Sequence, residues 1–190
     1  MGMMSSPQRV ATYGPTALAT PANLVTVLRL LVAPVLVVVL LSGPTGWLPL
    51  VLWGAVAVSD KVDGVLARRQ GTTKAGAFLD PLADKVLVFS VLGALWLLHR
   101  VPALPVLIMG VREVAVSVYR TQVLAGGRSL PARLPGKLKM LVQVLAISVA
   151  LVPVRAALES SVVDGLLWLA TILAVVSAFQ YFADAQSIQP

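Results

Sequence analysis

The sequence predicts an all-α integral membrane protein, a bundle of six transmembrane helices with its N- and C-termini cytoplasmic. Three observations lead there. Of 190 residues, 58% are apolar and only 12% charged, and the mean hydropathy is +0.89, too apolar for a soluble domain of this length. The apolar residues gather in six runs, most of them close to the ~20 residues that a helix needs to cross a bilayer core. The segments between the runs are short and rich in glycine and proline, which leaves no room for a second soluble domain.

Taken in order, the runs are Leu24 to Leu41, Trp47 to Ala67, Ala77 to Leu98, Ala103 to Leu124, Leu138 to Val152 and Val162 to Phe182. Thr20-Pro21 or Asn23 is placed to cap the first. Its apolar stretch is long for a signal peptide, and no small-residue cleavage site follows before Ser42-Gly43-Pro44, so it reads as an uncleaved first helix. Breakers mark the turns at Ser42-Gly43-Pro44 and from Gly126-Gly127 to Pro135-Gly136. Residues 1–22 read as an N-terminal cytoplasmic or juxtamembrane segment, 23–183 as one six-helix domain and 184–190 as a tail.

Charge sets the orientation. Lys61, Arg68, Arg69, Lys74 and Lys85 surround the second and third spans, and Arg112, Arg120, Arg128, Arg133, Lys137 and Lys139 the fourth and fifth. With Arg9 these all fall on the side of the N-terminus, against only Arg100 and Arg155 on the other, so that side is cytoplasmic. Basic residues threaded between apolar runs do not form the exposed surface that nucleic acid requires, and a DNA-binding domain is excluded. The absence of cysteine and the single His99 remove disulfides, thiolate metal sites and histidine clusters. Trp47, Trp53, Trp96 and Trp168 read as packing or an interfacial belt.

Chemistry therefore rests on carboxylates and cations. Four of the eight acids, Asp60, Asp63, Asp80 and Asp84, fall within 25 residues at the cytoplasmic ends of the second and third spans. A carboxylate deep in a bilayer costs roughly 2.5–3.5 kcal/mol, so such a cluster needs cations to neutralise it. Asp60, Asp63, Gly64 and Ala67 stand at i, i+3, i+4 and i+7, and Gly76, Asp80 and Asp84 at i, i+4 and i+8, so each set lines one helix face. Two antiparallel helices joined by a short loop would point these faces at one spot. Oxygen-only ligands select hard divalent cations, and a carboxylate shared by two such ions suits chemistry on phosphate esters. Gly64 and Gly76 would let a ligand approach the backbone closely. Salt bridges to flanking lysines and arginines are the plain structural alternative. On the fourth and fifth spans, Arg112, Arg120, Lys137 and Lys139 offer a basic pocket that Arg29, inside the first span, can join; positive-inside anchoring, headgroup contact or snorkelling would also account for them.

Asp60-x-x-Asp63-Gly64-x-x-Ala67-Arg68 followed by Gly76-x-x-x-Asp80-x-x-x-Asp84 resembles the signature of the CDP-alcohol phosphotransferase (CDP-alcohol phosphatidyltransferase) family. All of its defining positions match, and the stretch between Arg68 and Gly76 is one residue shorter than the commoner spacing. Pro21 to Arg29, Gly76 to Lys85, Arg112-Glu113 and Gly136 to Lys139 resemble the bacterial phosphatidylglycerophosphate synthase branch. The resemblance implies a six-helix enzyme of the cell membrane with its active site on the cytoplasmic side. It also implies two divalent cations, Mg²⁺ or Mn²⁺, held by Asp60, Asp63, Asp80 and Asp84, with Asp84 as general base. Gly64, Ala67, Arg68 and Gly76 would face the cytidine nucleotide of CDP-diacylglycerol, and Arg29, Arg112, Arg120, Lys137 and Lys139 the acceptor. The implied reaction moves a phosphatidyl group to glycerol 3-phosphate and releases CMP. Within the family, phosphatidylglycerol, inositol phosphate or serine are alternative acceptors, and a homodimer stays open. Outside it, a small divalent-cation or proton-coupled transporter is the competing reading of intramembrane acids, although it expects them near the midplane.

Overall fold

A computed structural model describes residues 21–43, 46–70, 74–125, 134–153 and 157–187; within the helices the side chains of 21–25, 60–81, 123–125, 135, 157–159 and 184–187 are not described. The described chain is six helices: α1 (Pro21–Leu41), α2 (Leu48–Gln70), α3 (Lys74–Leu97), α4 (Ala103–Ala125), α5 (Leu134–Ala150) and α6 (Ala157–Ser187). Each apolar run expected to form a span lies on its own helix. The largest differences are at α5, which starts at Leu134 and takes up Pro135-Gly136, and at α6, which runs on to Ser187. Pro135 costs nothing at a helix start, because the first amide groups have no intrahelical acceptor.

Two helix ends show how the chain turns. After α1, Gly43 adopts φ +67° and the Ser42 amide donates to the Val38 carbonyl at 2.9 Å, a left-handed stop that glycine adopts without strain. After α3 the same stop is made by His99, at φ 53°. The amide groups of His99 and Arg100 reach back to the carbonyls of Trp96 and Leu95, both at 2.9 Å, the paired bonds of a Schellman cap. Arg100 then donates to the Ala150 carbonyl of α5 at 3.1 Å, so the α3–α4 turn covers the end of that helix.

The helices pack as two groups. α1 lies against α2 and α3, and α6 lies against α4 and α5; smaller contacts of α3 with α4 and α5, and of α2 with α5, join the groups. Among the described residues α2 and α3 meet through α1. The α5–α6 contact is the most extensive; α5 carries buried Ala146 and Ala150, and α6 buried Ala170 and Ala174. Small residues one turn apart let the two backbones approach closely, as in membrane helix pairs.

Burial divides along the bundle axis. Buried polar side chains sit in the first half of α1 (Thr26, Arg29), in the first half and middle of α5 (Lys139, Gln143) and from the middle toward the end of α6 (Thr171, Ser177). The opposite halves bury Leu36, Leu40, Val91, Leu92, Leu95, Ile147, Leu151, Val163 and Leu167. Helices alternating in direction thus collect their polar positions at one end. There, too, lie Asp84 and Lys85 on α3 and Arg112 and Glu113 on α4, bonded to those residues.

Large apolar side chains are exposed on every helix, among them Leu31, Val51, Leu97, Val111, Leu141 and Phe179. A water-soluble monomer does not expose apolar surface on all sides. Among the described residues, Ser160–Ala183 is long and apolar enough by itself to cross a bilayer, with 24 residues and a mean hydropathy of 2.1. Thr26–Leu41 and Leu48–Ser59 are shorter apolar stretches. In α3, α4 and α5 the charged residues at the polar end interrupt the apolar run.

Candidate active site

α2 is helical without interruption through Asp60, Asp63, Gly64, Ala67 and Arg68, and α3 through Gly76, Asp80 and Asp84. The helical spacing that places each set on one face is therefore present in the backbone. The side chains of Asp60, Asp63, Gly64, Ala67, Arg68, Gly76 and Asp80 lie outside the described residues. Asp84 is the described carboxylate of the motif. It forms an ion pair with Arg29 of α1, whose side chain is 2% exposed against 30% for the aspartate. A guanidinium that deep is tolerable only when an anion and hydrogen bonds replace its water. Arg29 does not snorkel to the surface; it turns inward to the carboxylate motif.

Lys85, the next residue, points to a different partner set. Its ammonium bonds to the Ser117 hydroxyl and lies 3.5 Å from Glu113 Oε1. Glu113 Oε2 accepts from Lys139 Nζ at 2.7 Å and from Arg112 at 3.0 Å. One carboxylate from α4 thus gathers cations from α3, α4 and α5. Among the described residues, three cations against one carboxylate leave a net charge of +2. Arg112 also donates to the Ala174 carbonyl and to the Ser177 hydroxyl of α6, both at 3.0 Å. A Cβ on Gly136 would stand 3.2 Å from that same hydroxyl, so glycine leaves it its place.

Of the residues expected to bind an acceptor, Arg112 and Lys139 come together on Glu113, and Arg29 stands on Asp84 one residue from Lys85. Arg120 and Lys137 are exposed and are not brought into this cluster. Sequence reasoning left out Glu113 as the shared partner, together with Ser117 and Ser177. The isolated acid at position 113 between basic residues was a signal for the first; a serine in an apolar helix carries none by itself.

The donor set suits a hard cation. Four carboxylates on two helices, in a chain with no cysteine and one histidine, offer oxygen ligands of the kind that hold Mg²⁺ or Mn²⁺. Among the described residues no three acidic or histidine side chains converge.

The sequence profile of CDP-alcohol phosphatidyltransferase matches residues 19–178. The chain belongs to that family. It is 34% identical to a probable phosphatidylglycerophosphate synthase of Mycobacterium tuberculosis, over 97% of this chain and 90% of that protein. It is 32% identical to CDP-diacylglycerol--glycerol-3-phosphate 3-phosphatidyltransferase of Bacillus subtilis, covering 85% and 92%. It is 33% identical to the protein of the same name from Salmonella choleraesuis, covering 86% and 93%. As a member, the chain is a transferase of a membrane-associated, generally divalent-cation-dependent family. The transporter reading of its acids is set aside.

Proposed function

We propose that the chain transfers the phosphatidyl group of CDP-diacylglycerol to glycerol 3-phosphate, forming phosphatidylglycerol phosphate and CMP. The observation that carries the acceptor is the divergence of Asp84 and Lys85. These neighbours on α3 serve the carboxylate motif and a cluster of net charge +2, respectively. A phosphate monoester dianion such as glycerol 3-phosphate or inositol phosphate matches that charge, whereas an uncharged alcohol would leave it unbalanced, and the relatives' names favour glycerol 3-phosphate.

Asp60, Asp63, Asp80 and Asp84 hold two divalent cations in this reading. When bound, such ions neutralise a pyrophosphate and stabilise the departing CMP. The chain's own residues do the rest. Arg68 offers a planar set of donors to a phosphate oxygen, and Gly64, Ala67 and Gly76 leave space for the nucleotide. Lys85 and Lys139 hold the acceptor phosphate, and the Asp84 carboxylate takes the proton of the attacking hydroxyl. Arg29 fixes Asp84 for that role. Arg120 and Lys137, exposed on the same side, meet lipid headgroups. All six helices span the cell membrane with the termini cytoplasmic, so the donor's tails stay in lipid while its nucleotide and the acceptor arrive from water.

The test is CMP release by the detergent-solubilised protein with CDP-diacylglycerol, Mg²⁺ or Mn²⁺, and glycerol 3-phosphate, phosphatidylglycerol, inositol phosphate or serine in separate reactions. Release with glycerol 3-phosphate alone, lost with chelator and in Asp80→Ala, is expected. Release driven by another acceptor instead would move the chain to a different branch of the family, and metal-independent release would remove the proposed role of the carboxylates.

A further inference from the structure

Glu113 gathers three cations from three helices. Its two oxygens meet Lys85 at 3.5 Å, Arg112 at 3.0 Å and Lys139 at 2.7 Å, and its side chain is 16% exposed. The partners differ in what else they do. Arg112 is committed to α6 through the Ala174 carbonyl and the Ser177 hydroxyl, so it braces the carboxylate from behind. Lys85 and Lys139 come from α3 and α5, helices that otherwise touch only slightly. Without a shared anion, two ammonium groups on different helices at this separation repel and part. Glu113 therefore does for the lysines what an anionic ligand does when it arrives, and does it beforehand.

We infer that Glu113 is a positioning residue for the acceptor: its carboxylate, braced by Arg112, holds the Lys85 and Lys139 ammonium groups in register to receive the acceptor's phosphate. It touches neither substrate nor metal, and it sets the cluster's charge at +2 rather than +3. The inference rests on the proposed acceptor reading and refines it. Binding to a preordered pair avoids the entropy of gathering two lysines at the moment of binding. Glu113→Gln removes the charge and turns an amide donor toward the cations, so the lysines separate and the loss falls on acceptor binding.

The experiment is steady-state kinetics of Glu113→Gln, Glu113→Asp, Lys85→Ala and Lys139→Ala in detergent, varying glycerol 3-phosphate and CDP-diacylglycerol separately. Stabilisation against heat by glycerol 3-phosphate alone serves as a binding readout for any variant that has lost activity. For Glu113→Gln the expected result is a KM for glycerol 3-phosphate raised tenfold or more, a kcat within about threefold of the parent and an unchanged KM for CDP-diacylglycerol. Glu113→Asp should recover part of the acceptor KM, because the charge is kept on a shorter arm. An acceptor KM that is unchanged or lowered in Glu113→Gln overturns the inference, as does a fall in kcat with both KM values intact. If both lysine variants keep the parental acceptor KM, the acceptor site itself lies elsewhere. If they raise it while Glu113→Gln does not, the site stands and the positioning role fails.

Discussion

Arg29 shows what one buried charge demands. Its side chain is 2% exposed and its partner Asp84 stands 55 positions away in sequence, on another helix. Removing one member of a fully buried pair costs about 3–5 kcal/mol, and with Asp84 30% exposed the cost here is smaller, whereas removing both can be close to neutral. Arg29→Met is therefore expected to lower the thermal midpoint in detergent, and Arg29→Met with Asp84→Asn to restore most of it without restoring CMP release. Equal destabilisation by the single and double variants would mean that the loss in Arg29→Met does not come from an uncompensated carboxylate at Asp84. Asp84 was legible in the sequence because helical period aligns it with Asp80 and Gly76. Its pairing was not, since spacing along one helix says nothing about which distant residue lies opposite. For the same reason spacing alone groups Arg29 with the acceptor cations, although it forms an ion pair with the carboxylate motif. Arg120 shows the converse limit: seven residues from Glu113 it shares a helical face, yet it is exposed, a turn past Ser117, the last residue of that face bonded to the cluster.

Among the helices, apolar run length and breakers located all six, because the same residues that favour lipid also favour burial between helices. Boundaries were less legible where a breaker was tolerated. Pro135-Gly136 reads as a turn in sequence, but at the opening of a helix proline suits the backbone and glycine makes room for the Ser177 hydroxyl. Small residues are buried on the two most closely packed helices: Ala146, Ala150, Ala170 and Ala174 are all 3% exposed or less, and α6 also presents Ser177 and the Ala174 carbonyl to Arg112 of α4. Ala170→Leu forces extra volume into that seam. The expected cost is about 1–3 kcal/mol from overpacking, read as a lower thermal midpoint, with acceptor affinity falling as α6 shifts away from Arg112. A variant as stable as the parent would show that the seam is loosely packed.

At the scale of the molecule, the cluster around Glu113 joins the two helix groups at their polar end, linking α3 to α4 and α5. The opposite end of the bundle is closed by apolar packing, the Trp53 indole donating to the Ser148 hydroxyl at 3.1 Å and Arg100 capping α5. The proposed use of a water-soluble acceptor requires the polar end at the cytoplasmic face, the side on which the sequence concentrates lysine and arginine. The chain has no cysteine, so single introduced thiols report the orientation without interference. Ser42, in the turn after α1, and Gln122, near the end of α4, are both exposed and belong to opposite ends of the bundle. With a membrane-impermeant maleimide, Ser42→Cys is expected to react in intact cells and Gln122→Cys only after lysis. The reverse pattern would put the carboxylates and the basic cluster outside the cell, away from the cytoplasmic acceptor, and labelling of both in intact cells would break the six-span topology itself.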